Sequence, residues 1–312
     1  MLDRLTGMQV FASVAALGSL SAAARALKMS QTMATKHMAA LEARLGVKLV
    51  HRSTRRVTLT EAGRTYLDAV ERILGEVNDA DAEAAAGAVE ARGTLRLNVP
   101  VSFGIREIAP LIPEFQRSHP SVIIDLGLND RTVDLIEEGW DLAVRIGNME
   151  NSSLVARKLA PCRSVICASP AYIEEKGAPQ TIADLARHNC LDYTLSRTPG
   201  AGRWIFGGQD KVSVAVSGSL KANNGDALVT AAIAGQGIVY QPTFLVAGEI
   251  AAGLLITIEL DRPTAPLDGI FAVYPADRRP PAKVRTFIDF LVTRFGPYPH
   301  WDRLATREQS PL

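Results

Sequence analysis

Apolar positions in the first eighty residues recur at helical spacing. Leu5, Met8, Phe11, Ala12 and Ala15 mark one face of a predicted helix over residues 5–17, stopped by Gly18. Ser21 can cap a second, short helix over residues 22–27, whose alanines permit close helix-on-helix approach. Lys28 and Met29 then turn the chain, and Ser30 caps a third helix. Two helices joined by so short a turn make a helix-turn-helix. In the third, Ala34, Met38, Leu41 and Leu45 repeat at a 4-3-4 spacing and must face inward, which leaves Gln31, Thr32, Thr35 and Lys36 outside. Those side chains suit a DNA major groove: glutamine reads adenine, lysine donates to guanine or phosphate, and threonine methyls meet thymine. An ordinary solvated helix face carries more Glu and Lys.

Residues 47–59 form two short β-prone runs around a cationic tip, a candidate wing on which Arg52, Arg55 and Arg56 would meet phosphates or enter the minor groove. Thr60-Glu61-Ala62-Gly63 opens a long helix. Along it Tyr66, Val70, Ile73, Val77, Ala80 and Ala84 repeat at 4-3-4-3-4, a coiled-coil seam whose partner could be a second copy of the chain. Some 27 residues at 1.5 Å each give a rod of about 40 Å. From Gly93 strands and helices alternate, an α/β pattern: strands at residues 94–99, 122–126, 142–146, 164–168, 204–216, 238–240 and 270–274, and helices leading to Arg117 and over 132–138, 171–176, 226–234 and 281–295. Residues 297–312 read as a weakly ordered tail.

Charge sharpens this division. The net charge of +1 over 312 residues hides ten Lys or Arg against three Asp or Glu in residues 1–66, and 24 against 30 in the remainder. A basic head suggests an acidic partner for one end only, as a DNA backbone is. The apolar stretches are interrupted well short of the roughly 18 residues that a membrane span needs, so no membrane partner is expected. Met1-Leu2-Asp3-Arg4 does not open a secretory signal, which makes the cytoplasm the expected compartment. Three cysteines (Cys162, Cys167, Cys190) fit neither a disulfide framework nor a zinc site, and no metal or cofactor is expected. The sequence holds no H-E-x-x-H, G-x-x-x-x-G-K-[ST], G-x-S-x-G or G-x-G-x-x-G motif, which argues against an enzyme. The alternative is a cytoplasmic small-molecule-binding protein or enzyme whose N-terminal helices serve only for dimerisation.

Several motifs carry a family resemblance. Ser21-Ala22-Ala23-Ala24-Arg25-Ala26-Leu27, Leu41-Glu42-Ala43-Arg44-Leu45-Gly46, Leu49-Val50-His51-Arg52 and Val57-Thr58-Leu59-Thr60-Glu61-Ala62-Gly63 resemble the signature of LysR-type transcriptional regulators. The likeness continues through Asp141-Leu142-Ala143-Val144-Arg145-Ile146-Gly147, Ala168-Ser169-Pro170-Ala171-Tyr172 and Ala272-Val273-Tyr274-Pro275, to cover residues 1–296. It implies an α/β protein with a winged helix-turn-helix head over 1–60, a dimerising linker helix over 61–90 and an effector-binding body over 91–296. That body would resemble a periplasmic binding protein, with one lobe from 91–163 and 267–296 and the other from 164–266. The resemblance also implies sequence-specific binding of double-stranded DNA, self-association as a dimer or homotetramer, and a small-molecule effector, by family habit a small organic or aromatic acid. Carried over residue by residue, Ser30, Gln31, Thr32, Thr35 and Lys36 would serve the groove. Lys36 stands where the family commonly has Arg, and lacks that residue's bidentate fork. Ser102, Phe103, Arg145, Gly147, Asn224 and Gln241 would surround the effector, at strand ends and helix N-termini that offer backbone donors.

Overall fold

The structure is a computed structural model and describes residues 3–52, 57–84, 90–147, 154–195, 202–208, 210–276 and 280–305. The chain divides into two compact units, Met1–Val89 and Glu90–Leu312. In the first, α1 (Arg4–Leu17), α2 (Leu20–Ala26) and α3 (Gln31–Leu45) precede a hairpin of β1 (Val50–Arg52) and β2 (Val57–Leu59), then α4 (Glu61–Ala84). Asp3 starts α1 by accepting from the Leu5 and Thr6 amides, and Gly18 and Gly46 close α1 and α3. The cap of α2 is Ser19 rather than the expected Ser21. Its Oγ accepts from the Ala22 amide at 3.3 Å, while Ser21 only exchanges a hydroxyl bond with it at 3.0 Å.

Val10, Phe11, Val14, Ala34 and Met38 are fully buried in the core of this unit, with Leu41 close behind. Val70 joins them, flanked by Tyr66, Leu67, Ile73 and Leu74, and the Tyr66 ring lies 5.7 Å from that of Phe11. The seam expected to seek a second copy is therefore divided. Val70 is covered by the chain's own head with Tyr66 and Ile73 half-buried against it, and Val77 is half-buried outside that cluster. Heptad spacing makes a stripe but does not say whose helix covers it. Ala80 and Ala84 have side chains outside the described residues.

The second unit contains two five-stranded mixed sheets. Its elements run β3 (Gly93–Val99), α5 (Val101–Phe103), α6 (Ile112–Ser118), β4 (Val122–Leu128), β5 (Leu142–Ile146) and β6 (Leu154–Cys162). A wide helical turn, Gly104–Ile108, and a tight one, Ala109–Leu111, join α5 to α6. There follow β7 (Ser164–Ala168), α7 (Pro170–Lys176), β8 (Cys190–Tyr193), β9 (Arg203–Phe206), β10 (Val212–Ala215), β11 (Lys221–Ala222), α8 (Gly225–Ile233), β12 (Ile238–Pro242), α9 (Thr243–Ala251) and β13 (Ile256–Thr257). β14 (Leu267–Pro275), α10 (Ala282–Phe295) and α11 (His300–Ala305) complete it. The first sheet has the order β4-β3-β5-β14-β6 and the second β11-β8-β12-β7-β13. In each, two neighbouring pairs are parallel and two antiparallel, so a single strand, β14 in the first sheet and β7 in the second, runs against the other four. Leu95, Leu97 and Val99, alternate residues of β3, are all fully buried, as the two-residue period of a strand requires.

Residues 132–138, read from sequence as a helix, make a single turn instead. Asp134 Oδ1 accepts from the Ile136 and Glu137 amides, and Gly139, at φ 71°, already leads the backbone away. A cap and a left-handed glycine five residues apart leave no room for more.

The chain passes between the sheets twice, and at the first passage a single residue, Arg163, separates β6 from β7. Its carbonyl accepts from the Thr243 amide at 2.8 Å and from Thr243 Oγ1 at 3.2 Å, and its guanidinium pairs with Asp302 at 3.1 Å. Thr243 Oγ1 also donates to Asp302 Oδ1 at 2.7 Å. The segment expected to be a loose tail thus holds the crossing. Trp301 is 1% exposed, with ring centroids 5.9 Å from Phe103, 5.3 Å from Phe295 and 6.4 Å from Phe244. The correction concerns residues 297–305; the last seven lie outside the described residues.

All three cysteines are free and buried, and burial pushes each thiol up to about 12. Removing the indole in Trp301→Ala should lower the stability of this unit by about 3–5 kcal/mol in denaturant unfolding. Tyr298→Ala, at a side chain 78% exposed, should change it by less than about 0.5 kcal/mol.

Candidate functional site

In the head, Ser30 Oγ accepts from the Met33 amide at 3.2 Å and so fixes the start of α3. Gln31, Thr32 and Lys36 are exposed, Thr35 is half-buried, and Met33, which periodicity did not single out, joins them at the surface. Thr35 Oγ1 donates to the Gln31 carbonyl at 2.9 Å, so its proton is committed to the helix. In the wing Val50 opposes Leu59, His51 opposes Thr58 and Arg52 opposes Val57. Arg55 and Arg56 lie outside the described residues, as does the side chain of Arg52.

The wing is tied to α3 by a buried carboxylate that periodicity did not single out. Glu42, 3% exposed, accepts from the Leu49 and Val50 amides at 3.0 and 3.4 Å and pairs with Lys48 at 2.8 Å. Burial works to raise its pKa, but the Lys48 ammonium and the backbone donors outweigh that and hold it below the usual range.

In the second unit a cavity of about 500 Å³ lies between the two sheets. Residues at or just beyond the carboxyl ends of parallel strands from both sheets line it: Pro100 and Ser102 after β3, Asn129 to Thr132 after β4, Gly147 after β5, Tyr193 and Leu195 at β8, and Gln241 in β12. This is where an open α/β sheet presents its loops and helix N-termini to a ligand. The described lining carries four cations (Arg131, Arg145, Arg203, Lys211) against two acids (Asp130, Asp192), together with five aromatic rings. Both acids accept backbone amides, Asp130 from Val101 at 2.9 Å and Asp192 from Gly202 at 3.0 Å. Two of the cations are engaged as well, Arg145 with the Val133 carbonyl at 3.3 Å and Arg203 with Ser213 Oγ at 2.8 Å and the Ser213 carbonyl at 3.0 Å. Burial, with Asp130 nearby, pushes the Tyr193 phenol up to about 12, so it is a neutral hydrogen-bond donor there.

Of the residues expected to surround an effector, Ser102, Phe103, Arg145, Gly147 and Gln241 line this cavity. Asn224 is not among the lining residues. It caps α8 through its side-chain oxygen on the Ala227 amide and reaches Asp130 at 3.4 Å. Arg131, Arg203, Trp204 and Lys211 are additions, and three of these belong to the β9–β10 hairpin or its turn. Sequence marked that hairpin only as strands.

A second link crosses between the sheets beside the cavity. From the wide turn after α5, Arg106 contacts Asp226 of α8 at 2.9 Å and Glu249 of α9 at 2.9 Å. Its neighbour Glu107 is 7% exposed and lies 3.4 Å from His300; burial, opposed by Arg106, pushes its carboxyl up to about 7. Among the described residues no three His, Cys, Asp or Glu side chains gather to hold a metal ion.

Comparison with known proteins joins both units. Residues 5–64 match the family described as bacterial regulatory helix-turn-helix protein, lysR family, and residues 88–296 match the LysR substrate binding domain. The chain is a LysR-type transcriptional regulator. The HTH-type transcriptional regulator PtxR of Pseudomonas aeruginosa is 36% identical over 307 residues, 97% of this chain and 96% of that protein. An HTH-type transcriptional regulator of Xanthomonas campestris pv. campestris is 37% identical over 292 residues, 92% and 84% of the two chains. The solved structure of CrgA, a LysR-type transcriptional regulator from Neisseria meningitidis, matches with a TM-score of 0.59 at 32% identity, covering 92% of this chain and 97% of that one. As a LysR-type regulator, the protein binds DNA through its head, takes a small-molecule effector in its two-lobed body and self-associates. It is not an enzyme, and its N-terminal helices are a DNA-binding domain rather than a dimerisation device alone.

In the regulator, Glu42→Ala leaves the Leu49 and Val50 amides without their acceptor and should lower the stability of the head by about 1–3 kcal/mol, read by thermal unfolding. Glu107 gives a pH dependence of opposite origin. Its folded pKa, about 7, lies above the ordinary 4.5. The stability it supplies is therefore complete below pH 4.5 and lost as pH rises through 7, and a Glu107→Gln variant should show a flatter profile across that window.

Proposed function

We propose that the regulator reads its operator in the major groove of double-stranded DNA with Gln31, Thr32, Thr35 and Lys36, after a helix start fixed by Ser30. In this reading Arg52, Arg55 and Arg56 of the wing lie on the flanking phosphates or in the minor groove. The exposed polar face of α3 and the charge of the head support this. In the body, the bound effector is a small organic anion carrying a ring. The single observation that carries the proposal is the lining of the 500 Å³ cavity, where four cations stand against two acids among five aromatic side chains. An anion there replaces its water with charge-assisted hydrogen bonds and buries its ring. Preference of the anion for one arrangement of the two sheets is what would move the heads relative to one another in a dimer or tetramer, with Val77 onward in α4 left for self-association. The working compartment in this reading is the cytoplasm, where the operator is.

Two measurements test it. Lys36→Ala should weaken binding of an operator fragment by about 1–3 kcal/mol in fluorescence anisotropy while leaving the melting temperature unchanged. Equal losses of stability and affinity would show that Lys36 faces the protein interior. For the body, ring-bearing carboxylates should raise the melting temperature of the full-length protein where their primary amides and the corresponding amines do not. A shift by the amines alone would reverse the assignment of charge.

A further inference from the structure

Gln241 leaves a polar group unanswered at the wall of this cavity. It is 3% exposed, it lines the cavity from β12, and its Nε2 is buried without an acceptor among the described residues. Its Oε1 faces Gly225, where a Cβ would come within 3.3 Å of that oxygen and 2.6 Å of Leu245 Cδ1, so the absence of a side chain at 225 is what gives the carboxamide its space. Buried amide donors in folded proteins are almost always paired. Of the buried side-chain atoms left without a partner among the described residues, this is the one whose residue lines the cavity.

The cations and this amide divide the task between them. Arg131, Arg145, Arg203 and Lys211 come from other segments, and they attract a carboxylate far more strongly than an uncharged amide does. A carboxylate therefore prefers the cations to Gln241, which is left to select something else.

Resting on the reading of this cavity as the effector site, we infer that Gln241 is a specificity-determining residue and that the effector is a two-ended molecule. One end is a carboxylate, the middle is a ring or similar apolar body, and the other end is an uncharged hydrogen-bond acceptor, a carbonyl oxygen or its equivalent, received by Gln241 Nε2. A carboxylate lacking that acceptor fits the charge of the site but leaves the amide unpaired.

The test uses full-length protein and matched pairs of carboxylates that differ only in the acceptor: para- and meta-formylbenzoate against para- and meta-vinylbenzoate, in which a methylene replaces the oxygen. In the wild type at least one formyl compound should bind about tenfold to a hundredfold more tightly than its vinyl partner by calorimetry. In Gln241→Leu, of similar shape, the preference should fall to within about threefold, with the vinyl compounds retained. Without ligand, the melting temperature of Gln241→Leu should equal or exceed that of wild type, because no internal hydrogen bond is lost. A clear drop would show that the amide has a structural partner and would overturn the inference. If the formyl and vinyl compounds bind alike, or if their discrimination survives in Gln241→Leu, the role of Gln241 falls while the anion site stands. If no carboxylate binds, the anion site falls and this inference with it.

Discussion

Arg163 is the one residue between β6 and β7, and its carbonyl and guanidinium are both held, by Thr243 at the start of α9 and by Asp302 of α11. Asp302 and Thr243 are 7% and 2% exposed, and the buried acid is met by the guanidinium of Arg163, whose side chain is 56% exposed, which is the condition for a buried ion to be tolerated at all. Because the passage between sheets is so short and so firmly held, the carboxyl ends of β3, β4 and β5 are kept facing those of β8 and β12. The cavity between them is a consequence. Arg106, bridging to Asp226 and Glu249, is the second fixed point. Packed elements held at two points shift between discrete arrangements rather than deform continuously.

The head solves a similar problem with fewer residues. A recognition helix is useful only if the wing beside it keeps its angle, and here a single carboxylate, Glu42, takes two wing amides and one ammonium. A buried acid in a strongly basic head is electrostatically favoured, since the surrounding cations that attract phosphate also favour its charged form.

Local chemistry made much of this visible in the sequence. Ser30 and Gly46 delimit α3 because capping and left-handed backbone are properties of one residue and its neighbours, and the 4-3 spacing of Ala34, Met38 and Leu41 gave its inner face. Where several residues compete locally, the reading failed: Ser19 and Ser21 both offer an oxygen at the same helix start, and Asp134 begins a helix that Gly139 ends at once. α9, Thr-Phe-Leu-Val-Ala-Gly-Glu-Ile-Ala, is apolar nearly all round and shows no periodicity because most of its faces are buried. β6 carries Arg157, Lys158 and Pro161 and so does not look like a strand. For the cavity, the segments after β3 and β5 and the residue Gln241 were legible through family likeness. Arg203 and Lys211 were not, because their meeting with the others depends on a hairpin folding over from far along the chain. Trp301 was lost to the assumption that an end of chain is loose.

The three cysteines show what this architecture leaves out. Peroxide and disulfide chemistry begin with a thiolate, and a thiol with a pKa of about 12 supplies almost none at neutral pH. Sealed in the strands of both lobes, these sulfurs behave as small hydrocarbon-like fillers rather than as reactive thiols.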